Sequence, residues 1–568
     1  MASARDGFEL RSRTVGALPI INAFLERLGV DERLAAAVVP DPRAALAPAV
    51  ALGVLLRNIA SERAPLYALG EWAARCDPGV LGLSSTAATL LSDDRVGRAL
   101  DRLLGADRAA LATSVAVGAM RGFRIATDEL HSDSTSITLQ GGYGGADGAS
   151  VRGKKTARVL HGHSKDHRPD LKQLLWVLTV SADGAVPVHY RVHDGNTSDT
   201  EPHAAVWDTL VELAGRPTFL YVADSKLCTR QNMGHIASRG GRFLSVLPRS
   251  RSEDRDFRAW IRSHTPEWVM VRDDEGSSGS AGTRDMYLMC EAPWPSAEGY
   301  RVAWVASTAK AQRDAEGRRA RIKSASERLD QLAARLAGAK ARIRTKAGAD
   351  AAARAILKEA RSERFFEIGL EERTEPTYRQ ERRGRPGART RYRRAERLRI
   401  ALRWTVRHDE VAAEAASDGM FPFITNCAEL SLGELLERYK YQPCLERRHE
   451  QLKSGLAVVP LWLKSIARVE AILLLYFVAL LVRALLEREI RQRMKEEDVA
   501  ALPLYPEDRN CAAPTAERIL ALFGTLQRHE LVAGGTVVQT FEPELTPTQR
   551  RVLRLLGLTG AIYRMPVS

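Results

Sequence analysis

Three acidic side chains, Asp133, Asp224 and Glu446, are the candidates to converge on one site, and the first lies in a strand with little other reason to carry an acid. Asp133 lies inside the strand-like HSDSTSITL, flanked by serine and threonine, and Asp224 follows directly on the apolar FLYVA. Glu446 belongs to SLGELLERYKYQPCLERRHEQLKSGL, where Tyr439, Gln442, Glu446 and Lys453 recur at i, i+3, i+7 and i+14. Multiples near 3.5 residues return to one helix face, so this spacing predicts a single surface offering a phenol, an amide, a carboxylate and an ammonium. Converging carboxylates suit phosphodiester chemistry, in which two divalent cations roughly 4 Å apart make a nucleophile at neutral pH and stabilise the leaving oxygen. Magnesium prefers oxygen ligands and keeps several waters, so two or three acids suffice; manganese takes the same ligands.

Each acid also has a plainer reading. Asp133 would serve as an edge or turn aspartate, and Asp224 as the cap of a following helix. Glu450, one turn beyond Glu446, rivals it as a ligand. Pro443 interrupts the stripe, so Tyr439 and Gln442 belong either to the helix or to a turn before it.

The elements around these residues are read from periodicity. Residues 14–120 show apolar spacing of the helical kind in IINAFLERLGV, ALAPAVALGVLLRNIA and RALDRLLGADRAAL, which predicts an all-α N-terminal domain over 1–122. From Phe123 the texture becomes α/β. Strands are expected at 130–139, 174–180 and 186–192, the last two joined by a tight Asp-Gly hairpin. A helix over 200–213, capped by Thr200, then leads to a strand at 219–223, a short helix and the strand RFLSVL. This β-β-β-α-β-α-β run places Asp224 beyond the carboxyl end of a strand, where ligands of α/β sheets bind.

The core pattern covers 123–248 and resumes over 419–495 with FPFITN and a long helical region, opened by a Ser431/Glu434 capping box. Between them, 249–418 reads as an inserted domain: strand-like pieces, a charged helical stretch from 309 to 361, then the very basic RQERRGRPGARTRYRRAERLR before the strand-like RIALRWTVRHD. A C-terminal helical segment is expected over 496–568.

Length excludes a small binding module, since 568 residues exceed one core and require several domains. The 84 Lys plus Arg against 70 Asp plus Glu leave a net charge of +14, which favours a polyanionic partner. Six cysteines without a CxxC pair argue against a zinc ribbon and a disulfide framework, and predict a reduced, cytoplasmic protein. The best apolar run, 471–482 between Glu470 and Arg483, is too short to cross a bilayer, and predicts a buried helix and no membrane partner.

Taken together, HSDSTSI, GHSKDHRPDLKQLL, HDGNTSD, YVADSKL, the ITN lead-in and the Tyr439/Glu446/Lys453 spacing resemble the DDE insertion-sequence transposases of the YREK-signature group, over about 123–486. The departure is Gln442, where that group usually has arginine. The resemblance implies an RNase H-like catalytic core with a large insertion before the third acid. It implies Asp133, Asp224 and Glu446 as catalytic residues and ligands of two magnesium ions. Tyr439, Gln442 and Lys453 would then contact transposon-end DNA. It further implies cut-and-paste transposition of an insertion sequence, inverted-repeat ends and target DNA as partners, a homodimer in the synaptic complex, and a bacterial, nucleoid-associated location. The N-terminal domain resembles one used for end recognition or assembly.

Other basic residues fit the same partner. Lys165 and Arg168 interleave with His161, His163 and His167 in what reads as a DNA-facing loop rather than a zinc site. Arg383-Gly384-Arg385-Pro386 resembles the core of a minor-groove element, with a flexible basic linker as the alternative. Tyr392 and Trp404 are candidates to stack on an extruded base, core burial being the expected fate of Trp404.

Overall fold

Apolar and β-branched residues dominate the strands from Glu129 onward, and their pairing sets the architecture. A computed structural model describes residues 8–84, 86–143, 146–151, 153–198, 202–274, 284–338, 341–456, 463 and 465–564. The chain forms two compact units, Met1–Ser245 with Leu436–Ser568, and Val246–Leu435.

The first unit contains a mixed sheet built from β1 (Glu129–Leu139), β2 (Lys172–Ser181), β3 (Pro187–His193), β4 (Leu220–Ala223) and β5 (Arg242–Val246). Its order is β3-β2-β1-β4-β5, with β3, β2 and β1 antiparallel and β1, β4 and β5 parallel. The expected Asp-Gly turn joins β2 to β3, and Gly184 adopts φ 81°, with the Arg488 side chain 2.8 Å from where a Cβ would lie. Glycine is therefore required there both by conformation and by space. Helix α1 (Pro202–Ala214) joins β3 to β4 and helix α2 (Arg230–Ser238) joins β4 to β5; Thr200, the expected cap, lies outside the described residues.

The long helix α5 (Ile466–Glu496) is the centre of this unit. Apolar residues surround it on all sides, as a helix buried throughout requires, and its most hydrophobic stretch is entirely buried within the protein. It packs against the helices Pro48–Ala60, Asp93–Gly105 and Arg108–Gly122 and against β3. One hydrophobic core thus runs from Val15 through Trp176 on β2 to Tyr563.

Two sequence expectations differ here. The N-terminal segment is not all helical, because Glu9–Thr14 is a strand paired antiparallel with Gln527–Ala533. The C-terminal segment is not only helical either, since Gln527–Ala533 and Thr536–Phe541 form a hairpin. Its turn is Gly534-Gly535, both at positive φ. A glycine pair between alternating segments is a hairpin signal. The buried pair Arg528–Asp77, 2.6 Å apart, ties this sheet to the N-terminal helices.

In the second unit, Met420–Thr425, Arg301–Ser307, Asp285–Glu291 and Val269–Asp274 form an antiparallel sheet in that order. The charged stretch is two helices, Thr308–Ala337 and Lys346–Glu359. They are more than a solvated pair, since Leu329, Leu332 and Leu336 lie in a separate core. The basic linker reading is corrected, because Phe366–Gln380 and Tyr392–Val406 pair along their whole length as a two-stranded ribbon. Trp404 packs edge-on against Phe366 and its indole N–H donates to Asp330.

Candidate active site

Register brings the first two acids together. Ala223, the last residue of β4, lies opposite Ser132 of β1, so Asp133 and Asp224 are the next residues on neighbouring parallel strands. They line one small cleft with Ser132, Ser134 and His203. Burial and the charge of Asp133 push the Asp224 carboxyl up, which is the behaviour of two carboxylates sharing a site. Asp224 also caps the turn that follows, its Oδ1 accepting from the Lys226 amide at 3.0 Å. The helix-cap reading and the functional reading of this residue are therefore compatible.

Two bases face Asp133. Lys165 Nζ lies 3.6 Å from Oδ1 and is held by the Ser134 hydroxyl at 2.9 Å. His449 Nε2 lies 3.7 Å from Oδ2. The His449 ring is buried with neither nitrogen hydrogen-bonded. Burial, then the charges of Lys165 and Lys453, push it down to about 3, so it is a neutral neighbour and Lys165 supplies the positive charge. Arg168, by contrast, is turned to Asp170 at 2.7 Å on the surface, so it does not join the acids.

The expected single stripe from Tyr439 to Lys453 is divided among three elements. Tyr439 ends helix α3 (Leu432–Tyr439), Gln442 opens helix α4 (Gln442–Glu450) with Glu446 on it, and Lys453 lies in a π-helical turn, Gln451–Gly455. Pro443 explains the break, because without an N–H it cannot donate to the carbonyl of Tyr439 four residues back. Tyr439 lies within the field of all three acids, its phenol pushed up by burial and then by the charges of Asp224, Asp133, Cys228 and Glu446. Glu446 is exposed on α4, as is its rival Glu450. Lys453 forms an ion pair with Asp166.

What positions α3 and α4 was not evident in the sequence. Arg438 pairs with Glu129 on β1, and Glu129 also accepts from His131 Nε2 at 2.8 Å. Although burial raises the Glu129 carboxyl, these partners hold it below the usual carboxylate range. Arg448, buried, donates to the carbonyls of Gly184 and Ala185 in the β2–β3 turn, both at 2.9 Å. It also donates to Gln451 and to Glu487 of α5, both at 2.7 Å. Helix α4 is therefore clamped between the sheet and α5, which fixes the backbone beneath Glu446.

Side-by-side carboxylates, the Asp224 carboxyl pushed up in part by Asp133, fit a divalent cation, which prefers anionic oxygen. Among the described residues, no three His, Cys, Asp or Glu side chains form a group that could hold a metal ion. Arg383 and Arg385 are exposed in the turn of the second unit's ribbon.

A family model described as a domain of unknown function (DUF4277) matches residues 10–117. No curated protein matches the chain. Among solved structures, the chain is similar to the cryo-EM structure of a piggyBac transposase synaptic complex with hairpin DNA, at 9% identity and a TM-score of 0.28. That match covers 48% of this chain and spans 58% of the other.

Proposed function

We propose that the chain is a DDE transposase, which cuts and joins DNA at the inverted-repeat ends of an insertion sequence by two successive phosphoryl transfers. The observation that carries this reading is the pairing of Ala223 with Ser132, which sets Asp133 beside Asp224 in a sheet of order 3-2-1-4-5. An RNase H-like core has that strand order, and the resemblance of the Asp133, Asp224 and Tyr439/Glu446/Lys453 segments to the YREK-signature transposases supports the same reading.

In this reading Asp133 and Asp224 hold magnesium, with Glu446 as the third ligand. When bound, the two ions supply a nucleophile at neutral pH and a stabilised leaving oxygen. Lys165, 3.6 Å away, orients Asp133. Tyr439 offers a phenol donor to a phosphate oxygen, and Lys453 a point charge once DNA replaces Asp166 as its partner. Gln442 offers a neutral amide where the related group has a guanidinium. A homodimer bringing two ends together, in the bacterial cytoplasm, is the natural working assembly.

A second reading, a duplex-DNA-binding protein without catalysis, is favoured by the exposure of Glu446 and by the lack of a three-ligand group among the described residues. Strand cleavage and joining on linear DNA carrying the element's ends decides between them. We expect magnesium-dependent cleavage by the native chain, lost in Glu446→Gln at equal end binding. A native chain that binds ends yet never cuts with magnesium or manganese would establish the second reading.

A further inference from the structure

The two-stranded ribbon of the second unit changes character along its length. Facing residues of an antiparallel pair share a side. The register Phe366↔Val406, Ile368↔Trp404 and Leu370↔Leu402 therefore lays an apolar stripe along one side of its base, packed into a core with the helices Thr308–Ala337 and Lys346–Glu359. Beyond Glu372 and Ile400 the stripe ends, and most residues of the remaining arm are exposed. This arm spans about eight residues on each strand, roughly 25 Å, before its turn.

The arm is an arginine array. Between 379 and 397 there are nine arginines, Glu381 and Glu396 being the only acids. Register sets Arg379 directly opposite Arg393, and among the described residues neither forms an ion pair. Nor do Arg382, Arg383, Arg385, Arg389, Arg391 and Arg394. Nearer the base, Arg373 and Arg399 also face each other, but each has a glutamate, Glu371 and Glu375. Like charges directly across a strand pair destabilise it; the base neutralises its pair from within, whereas the Arg379/Arg393 pair has no ion-pair partner among the described residues. Tyr378 and Tyr392, 64% and 50% exposed, lie on the opposite side of the ribbon.

We infer that the distal ribbon is a grip for duplex DNA, held through phosphate oxygens without reading sequence. Guanidinium groups match phosphate bidentately. Duplex DNA carries one charge per ~1.7 Å of axis, enough to engage every arginine over the arm's length, and a two-stranded ribbon fits the major groove. The inference rests on the reading of the chain as a DNA-processing protein and adds a contact surface separate from its acids.

The test compares the full native chain with Arg379→Gln/Arg391→Gln/Arg393→Gln, measuring affinity for a duplex of arbitrary sequence by fluorescence anisotropy over a range of salt. Each lost phosphate contact flattens the log–log salt slope by about 0.9, so three lost contacts flatten it by about 2.7. The melting temperature should not fall, because a facing like-charge pair is removed, and the matching three-lysine variant should retain the native slope, because counterion release follows charge. An unchanged slope in the glutamine variant would overturn the grip, as would a polyglutamate of equal charge that competes as well as the duplex. Binding is read here without cleavage, so failure leaves the acid site untouched, and an inactive acid site leaves this result untouched.

Discussion

Replacing Arg448 by methionine isolates what holds Glu446 in place. The native guanidinium and the Glu487 carboxylate are each 3% exposed and 2.7 Å apart. Removing one partner of such a pair strands a buried charge, at about 3–5 kcal/mol. Glu487 retains the Ala516 amide at 3.0 Å, Gln451 at 2.9 Å and Arg491 at 3.6 Å, so the lower end, about 3 kcal/mol, is expected. The carbonyls of Gly184 and Ala185 also lose their donor. The sign with pH follows from the carboxyl. Burial raises it, but Arg448, the Ala516 amide and Arg491 outweigh burial and hold it below its usual value. A depressed acid stabilises the fold above its unfolded pKa of about 4.3, and that contribution is lost as pH falls through the folded value. The stability gap between native and Arg448→Met should therefore be widest at neutral pH and narrow in acid. Urea unfolding across pH measures it, and Arg448→Met/Glu487→Leu completes the cycle by removing the stranded charge. End cleavage should fall further than end binding in Arg448→Met, because the backbone beneath Glu446 loses its clamp. A cost below about 1 kcal/mol, or a gap that does not vary with pH, would refute the clamp.

Two further outcomes follow from the site. Burial and Asp133 raise the Asp224 carboxyl, so its stabilising contribution belongs to acid and is lost as pH rises through its folded pKa. Asp224→Asn should then melt higher than the native chain at neutral pH in chelator. It should also lack the magnesium-induced stabilisation of the native chain, about 2.7 kcal/mol at a hundredfold excess over Kd; equal shifts in both would remove Asp224 from the ligand set. Gln442→Arg should steepen the salt dependence of end binding by about 0.9 if the position faces a phosphate, and an unchanged slope would place it elsewhere.

The strand that leads to Asp224 is legible in the sequence as a short apolar run, and the one that carries Asp133 as a Ser/Thr/Ile segment ended by Gly141-Gly142, both local patterns. Their adjacency is not local, since it depends on a register between β1 and β4 that only the folded sheet supplies. The stripe from Tyr439 to Lys453 was read as one surface because spacing alone assumes an unbroken helix, and Pro443 breaks it. Arg448 and His449 were invisible for a different reason. The charged run ERRHE reads as a solvated face, whereas the Arg448 partner Gly184 is 264 residues away. The strand Glu9–Thr14 is equally hidden, as its partner lies near the opposite end of the chain.

The same long-range packing bears on how the N-terminal segment relates to the acids. Residues 10–117 match a domain model of their own, which would suit an independent module joined by a linker. Yet Leu52, Leu55, Leu100 and Leu103 belong to the core that also contains Leu473, Phe477, Trp176 and Ile137, and Arg108 pairs with Glu470 at 2.6 Å while that carboxylate accepts the Ala157 amide at 2.7 Å. Removing the N-terminal helices would expose one side of α5 and leave Glu470 without its guanidinium. Because α5 also supplies Glu487 to the clamp on α4, the N-terminal helices and the helix bearing Glu446 are built against a single wall, and the acid site depends on a segment that contributes no acid to it.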